Sequence, residues 1–275
     1  MNFKPEKAYK NLTFLNSPPA RTIRILSEYE EPRQRFLQHG VRDTIVVFGS
    51  ARARPLDQTL PALESAQSAL ALNPEDALLQ KTVQDGERAV RLSHFYEQAR
   101  ELSRRLTEWS LYREGLRRYT ICTGGGPGMM EAANRGASEV ENGRSIGLGI
   151  SLPFEPGVNV YTTKELAFEF HYFFTRKLWF VYLMRACILF PGGFGTFDEL
   201  FELLTLLQTG KVKRRVPIVL FGTEYWSRVV NFEAMAEYGT VSLADLSMVF
   251  RTDSVDDAFR YIIGELDRIE ARPLP

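Results

Sequence analysis

Short unbroken apolar runs alternate along the chain with longer stretches in which apolar side chains recur every three or four residues. The first run, Thr44-Ile-Val-Val-Phe48, is rich in β-branched residues and closes on Gly49-Ser50, which predicts a strand buried on both faces. From about Leu56 to Arg118 the period is helical: Leu92, Phe95, Tyr96, Ala99, Leu102, Leu106 and Trp109 share one stripe, and Asn73-Pro74 marks a break. A helical hairpin inserted after the first strand accounts for this pattern. Beyond it, strands are predicted at Tyr119–Cys122, Ser145–Leu152, Ala186–Phe190, Pro217–Phe221 and Ser247–Phe250. They alternate with helices at Gly128–Glu141, Phe168–Met184, Thr196–Leu207, Tyr225–Tyr238 and Val255–Glu270. Residues 1–40 are polar and charged, with Pro18, Pro19 and Pro32, and predict a loop followed by a short helix around Ile23–Gln38.

Apolar strands separated by helices define an α/β protein, a Rossmann-like doubly wound parallel sheet covered on both faces. The expected organisation is an N-terminal extension over residues 1–40 and one domain over residues 41–275, with a helical insert at about 55–90. Composition narrows the picture. Among 275 residues, 44% are apolar and 25% charged, ordinary values that exclude disorder and low-complexity classes. The 34 basic and 34 acidic residues cancel, which argues against a generic nucleic-acid partner, so an anionic ligand must be held by a local site. Cys122 and Cys187 fall in predicted strands as small hydrophobes, which excludes a disulfide scaffold or a cysteine-based zinc site. The start lacks the apolar core of a signal peptide. The longest apolar stretch, Leu178 to Phe190, is broken by Arg185 and falls short of the ~18–20 residues of a spanning helix. A cytoplasmic protein without a membrane partner is expected.

Three predicted strand-to-helix turns are rich in small residues: Phe48-Gly-Ser-Ala-Arg52, Thr123-Gly-Gly-Gly-Pro-Gly-Met-Met-Glu131 and Pro191-Gly-Gly-Phe-Gly-Thr-Phe-Asp-Glu199. In a doubly wound sheet such turns lie outside the carboxyl ends of the strands, where ligands bind. A helix starting there aims N–H groups and the positive end of its dipole at whatever lies above, commonly a phosphate. One such turn is a weak signal; three at one sheet edge point to an anionic or nucleotide ligand. The turns match neither the triphosphate-binding Gly-x-x-x-x-Gly-Lys-Ser/Thr pattern nor Gly-x-Gly-x-x-Gly, so a P-loop hydrolase and a nicotinamide dehydrogenase are poor readings.

Between the second and third turns lies the basic pair Arg176-Lys177, set among aromatic residues. Adjacent helical positions point about 100° apart, so only one of the two faces a given site. Taken alone, a buried-face arginine is explained by a salt bridge. Glu199 and Asp198, in the first turn of the helix predicted from Thr196, are explained by helix-dipole capping.

Gly124-Gly-Gly-Pro-Gly-Met-Met-Glu-Ala-Ala133, Arg176-Lys177 and Pro191-Gly-Gly-Phe-Gly-Thr-Phe-Asp-Glu199 resemble the signatures of the LOG (Lonely Guy) family. These are cytokinin riboside 5′-monophosphate phosphoribohydrolases, whose bacterial members were long labelled lysine decarboxylases. The resemblance covers about residues 41–252; the chain is longer than compact plant-type members. It implies hydrolysis of the N-glycosidic bond of a nucleoside 5′-monophosphate, AMP or a cytokinin riboside 5′-monophosphate, to free base and ribose 5-phosphate. Cytokinin activation and general nucleotide salvage both stay open. By the same resemblance Arg176 and Glu199 are catalytic. Substrate contacts are expected at Ser50, Gly124, Gly125, Lys177, Gly192, Gly193, Gly195 and Thr196, with no cofactor or metal and a homodimer or higher homo-oligomer. No sequence context marks a Schiff-base lysine, so the decarboxylase label does not suit the chemistry.

Other residues carry plainer explanations. His39, His94 and His171 show no metal-ligand spacing, and His171, five residues before Arg176, would sit roughly 140° away around a helix as a packed polar residue. Lys211, Lys213, Arg214 and Arg215 suggest a solvated loop, with a phosphate or partner contact as the alternative. The aromatic run Phe168–Phe180 suits core or dimer interface better than base stacking. A rival class stays open: a nucleotide- or molybdenum-cofactor-binding carrier or sensor without hydrolase activity, which would not require the Arg176–Glu199 pair.

Overall fold

A computed structural model describes residues 3–113, 118–151 and 157–271. Seven strands form one parallel sheet: β1 (Asp43–Phe48), β2 (Tyr119–Thr123), β3 (Ser145–Ile150), β4 (Ala167–Phe170), β5 (Met184–Leu189), β6 (Ile218–Phe221) and β7 (Val249–Thr252). Their order is β4-β3-β2-β1-β5-β6-β7. The chain therefore winds outward from β1 to β4, returns beside β1 as β5, and winds outward the other way. Strand order reverses between β1 and β5, and the crevice above that reversal is where doubly wound sheets bind ligands.

Period-two alternation distributes the core over the two faces. Val46, Phe48, Cys187, Leu189, Ile218 and Leu220 enter one hydrophobic layer. Ile45, Val47, Ala186, Ile188, Val219 and Phe221 enter the other. The first layer is closed by α2 (Arg21–Gln38), α6 (Phe173–Leu183), α7 (Phe194–Gln208), α8 (Thr223–Val229) and α9 (Phe232–Glu237). The second is closed by α4 (Ala77–Leu111), α5 (Met129–Ser138) and α10 (Val255–Glu270). Ahead of α2 lies a single turn, α1 (Leu12–Leu15). The hairpin expected after the first strand is α3 (Leu56–Leu72) lying against the first half of α4: Thr59 and Ser93 hydroxyls meet at 2.8 Å, and Leu63 packs against Gly86. The rest of α4 continues without a break to become the crossover into β2. Both cysteines are buried, and burial raises both thiols above their ordinary range.

Several expected boundaries move. The long helix predicted over Phe168–Met184 is a strand, a two-residue link and a shorter helix. Ala167–Phe170 pairs in parallel with Gly147–Ile150, Phe168 and Phe170 turning into the core and Glu169 out to solvent. The tertiary partner β3 thus overrides a local pattern that favours a helix. The helix predicted over Tyr225–Tyr238 divides at Val230, which is extended, and the Asn231 side chain accepts the Ala234 N–H at 2.9 Å to start α9 afresh. The last strand begins at Val249 because a 3-10 turn occupies Asp245–Met248. The helix expected to run to Glu141 ends at Ser138, followed by Asn142 at positive φ. Leu152, the expected end of the third strand, and residues 114–117 lie outside the described residues.

Candidate active site

All three glycine-bearing turns sit at the carboxyl ends of neighbouring strands, β2, β1 and β5. The backbone of one residue ties them together. The Ser50 N–H donates to the Pro191 carbonyl at 2.9 Å, and the Ser50 carbonyl accepts the Met129 N–H at 3.0 Å. Gly128, which begins α5, has φ +75 and ψ −130, and a Cβ there would fall 2.2 Å from the Ser50 carbonyl oxygen. Both the dihedral and the contact demand glycine. Gly128→Ala is therefore expected to lower stability by about 3 kcal/mol, since it adds a backbone clash to a disfavoured φ. Urea unfolding of variant and wild type measures it; an unchanged midpoint would mean the turn repacks freely.

A buried polar network shapes the second turn. The Thr123 hydroxyl donates to Asn134 Oδ1 at 2.7 Å and accepts the Gly125 N–H at 2.9 Å. Asn159 Nδ2 lies 3.0 Å from the carbonyls of Gly125 and Gly126 and 2.9 Å from Asn134 Oδ1. The N–H groups of Gly125 and Met129 are thus engaged inside the protein, and this turn offers less free donor capacity than its composition suggests. Asn134 and Asn159 escaped the sequence reading. Asn134 left one trace, a polar residue within the small apolar positions of Met129–Ser138; Asn159 lies in an irregular segment and left none.

The third turn differs. Helix α7 begins at Phe194 with Gly193 as its N-cap and no side-chain cap. The Thr196 and Phe197 N–H groups turn back to the Gly193 carbonyl. Those of Gly193, Phe194 and Gly195 have no acceptor among the described residues and stand exposed at the positive end of the helix dipole. The Thr196 side chain is buried beneath them, against Gly192, whose carbonyl accepts the Tyr225 hydroxyl.

Arg176 and Lys177 project differently from α6, as their helical offset requires. Arg176 Nε donates to the Leu148 carbonyl at 2.6 Å, and its guanidinium lies over the Phe180 ring. Nη2 is so close to Gly124 that a Cβ at that position would meet it at 2.5 Å, so glycine here admits the guanidinium. Lys177 Nζ instead reaches α7, pairing with Asp198 at 2.9 Å and Glu202 at 3.0 Å. Lys177 therefore ties two helices together, and Asp198 serves that pair.

Glu199 is 8% exposed. Because α7 starts two residues before the expected Thr196, Glu199 is its sixth residue and lies beyond the first turn, so dipole capping does not explain it. Burial pushes its carboxyl up to about 7, opposed by the charges of Arg176 and Lys177. A buried carboxylate held at that range is poised to change protonation near neutral pH. A cavity of about 230 Å³ opens beside Gly124, lined also by Gly149, Ile150, Val158, Phe168 and Glu169.

The remaining candidates take structural places. His171 precedes α6 and is outside the helix; its exposed ring packs edge-on against Tyr172. Arg214 donates to the carbonyls of Met184, Val181 and Tyr182, and Arg215 pairs with Glu265 at 2.9 Å. These two side chains are tied to the protein, at the opposite end of the sheet from the glycine turns. Among the described residues no helix is long and apolar enough to cross a membrane.

A doubly wound parallel sheet with a glycine-lined crevice, exposed N–H donors and a buried carboxylate near an arginine defines a protein of the Rossmann-like class. A family described as "Possible lysine decarboxylase" matches residues 130–262, just under half of the chain. The chain is similar to the pyrimidine/purine nucleotide 5′-monophosphate nucleosidase of Escherichia coli strain K12, with 35% identity over 159 residues. The nucleosidases of the same name from the O6:H1 and O157:H7 strains match to the same extent. That alignment spans 52% of this chain and 33% of the relative, so the chain covers about a third of the length of the curated relatives it matches.

Proposed function

We propose that the chain hydrolyses the N-glycosidic bond of a nucleoside 5′-monophosphate, with AMP or a cytokinin riboside 5′-monophosphate as substrate, releasing the free base and ribose 5-phosphate. One observation carries the reading: Glu199, buried and raised to about 7, lies one helical turn from a cradle of exposed N–H groups and within the field of Arg176. The match to nucleotide nucleosidases supports it.

In this reading the phosphate rests on the N–H groups of Gly193, Phe194 and Gly195 and on the Thr196 hydroxyl, with Ser50, Gly124, Gly125 and Gly192 lining the walls. The base enters the cavity beside Gly124. Cleavage passes through an oxocarbenium-like sugar, whose positive charge the Glu199 carboxylate stabilises while it orients the ribose hydroxyls or the attacking water. The departing base gathers negative charge, offset by the Arg176 guanidinium, which stays protonated throughout and so acts by charge and position. Lys177 contributes through its charge beside Glu199 and by bracing α6 against α7. A homodimer completes the reading: α6 exposes Phe173, Phe174, Leu178 and Tyr182, and α7 exposes Phe194 and Phe201, a density of apolar side chains suited to burial against a second copy.

Incubating the protein with AMP, CMP, GMP, UMP and isopentenyladenosine monophosphate, then measuring free base and ribose 5-phosphate, tests the reaction. Stoichiometric release of both products from at least one nucleotide is expected. Tight nucleotide binding with no product from any of them would favour a carrier or sensor.

A further inference from the structure

Helix α2, in the N-terminal segment before β1, makes a set of contacts onto α6 that neither packing nor the proposed phosphate cradle requires. The Glu28 carboxylate accepts the His171 N–H at 2.8 Å with one oxygen and the Tyr172 N–H at 3.3 Å with the other. The second oxygen also lies 2.5 Å from the Thr175 hydroxyl, which is 2.7 Å from the Tyr172 carbonyl. Tyr172 is the N-cap of α6 and its own side chain caps nothing. Glu28 thus takes the N-cap backbone N–H from a distant element, the part that the Glu or Gln of a capping box plays locally, and places a negative charge at the positive end of the helix. A turn later the Glu28 backbone carbonyl accepts the indole N–H of Trp179 at 3.1 Å. Arg176 lies between these two grips, its own N–H bonded to the Tyr172 carbonyl at 3.3 Å.

The geometry points to Glu28 as a positioning residue that acts through Arg176, fixing the first turn of α6 so that the guanidinium lies over Gly124 with Nε on the Leu148 carbonyl. This rests on the reading of Arg176 as the group that meets the departing base. The N-terminal segment is then part of the site's framework: α2 holds α6 from outside, and β3 holds the arginine from inside. Without Glu28 two backbone N–H groups lose their acceptor and the first turn is free to fray, which moves Arg176 without removing it.

The test uses the full chain with Glu28→Ala and Glu28→Gln, alone and in an Arg176→Ala background, after thermal unfolding has established which variants are folded. Glu28→Ala should slow single-turnover hydrolysis by about tenfold, the scale of a lost helix cap, with nucleotide Kd within about twofold. Glu28→Gln keeps an acceptor oxygen and should lose about threefold, a partial rescue; should Glu28→Ala fail to fold, Glu28→Gln is judged by the same criteria. In the Arg176→Ala background either change should alter the rate by less than about twofold, because the residue it acts through is gone. The ¹⁵N-labelled Arg176 Nε–H resonance should shift and exchange faster with water in both Glu28 variants. A wild-type rate in Glu28→Ala, or the same loss with and without Arg176, overturns the proposal. If the wild-type protein hydrolyses no nucleotide, the proposed function fails. The Glu28 proposal is then decided by the Nε–H resonance alone: a shift with faster exchange upholds the positioning role, and an unmoved signal overturns it.

Discussion

Glu199→Gln is expected to lower single-turnover hydrolysis of nucleoside monophosphates by about 10²–10³-fold while nucleotide affinity stays within about threefold, the pattern of a contact made mainly in the transition state. Glutamine keeps the size and one acceptor oxygen but not the charge. In the proposed function the phosphate is held elsewhere, on the start of α7, so ground-state binding has little reason to change. The pH dependence sharpens the test. Burial holds the Glu199 carboxyl at about 7 in the folded protein, well above its ordinary value, and it is the ionised form that stabilises the sugar cation. Activity in the free protein should therefore rise as pH increases through about 7, and that limb should vanish in the glutamine variant. The sign for stability is opposite. The folded state holds this proton more tightly than the unfolded chain, so the contribution is fully present below the unfolded pKa of about 4.3 and is lost as pH rises to about 7. A glutamine variant that hydrolyses at the wild-type rate would end the assigned role of Glu199.

Arg176→Ala should slow the chemical step by about 10²–10³-fold, the usual loss for one preorganised electrostatic contact. Arg176→Lys should recover little of it. A lysine carries the charge but cannot both donate to the Leu148 carbonyl and spread a planar fork above Gly124. The leaving group distinguishes this role from simple substrate binding. If the guanidinium offsets negative charge on the departing base, its loss should matter much less for 7-methylguanosine monophosphate, whose base departs neutral. Equal losses on GMP and its 7-methyl derivative would assign Arg176 to binding. The double variant with Glu199→Gln should lose less than the product of the two single losses, since both residues act on one charge separation.

How much of this was legible depends on how local each signal is. Thr44–Phe48 and Pro217–Phe221 announce buried parallel strands because nearly every position is apolar, and the structure places strands there with small shifts. The run Ala167–Phe170 does not: four residues of mixed character become a strand only because β3 offers an edge to pair with. The glycine turns were legible, since a strand end, a glycine cluster and a helix start are adjacent in sequence. Their engaged donors were not: the Met129 N–H goes to the Ser50 carbonyl of another turn, and the Gly125 N–H to a Thr123 hydroxyl that Asn134 holds from α5. Glu199 shows how small an error can matter. A helix start misplaced by two residues leaves a cap and a buried acid indistinguishable, and only the observed start at Phe194 separates them. That Arg176 and Lys177 face different ways follows from the 100° step of a helix, but the partner of Lys177, Asp198 on α7, is fixed only by the packing of the two helices.

The Ser50 backbone joins the turns after β1, β2 and β5, while the cavity beside Gly124 is walled mainly by β3 and β4, outside that knot. The crevice is thus divided into a part that cannot vary piecemeal and a part that can. Under the proposed function, selection or an engineer could exchange Ile150, Val158 or Glu169 to admit a larger or differently substituted base without disturbing the turn proposed to hold the phosphate. Drift in nucleobase preference across descendants of such a chain would then be concentrated on the β3–β4 side, with the Ser50 side inherited as a block.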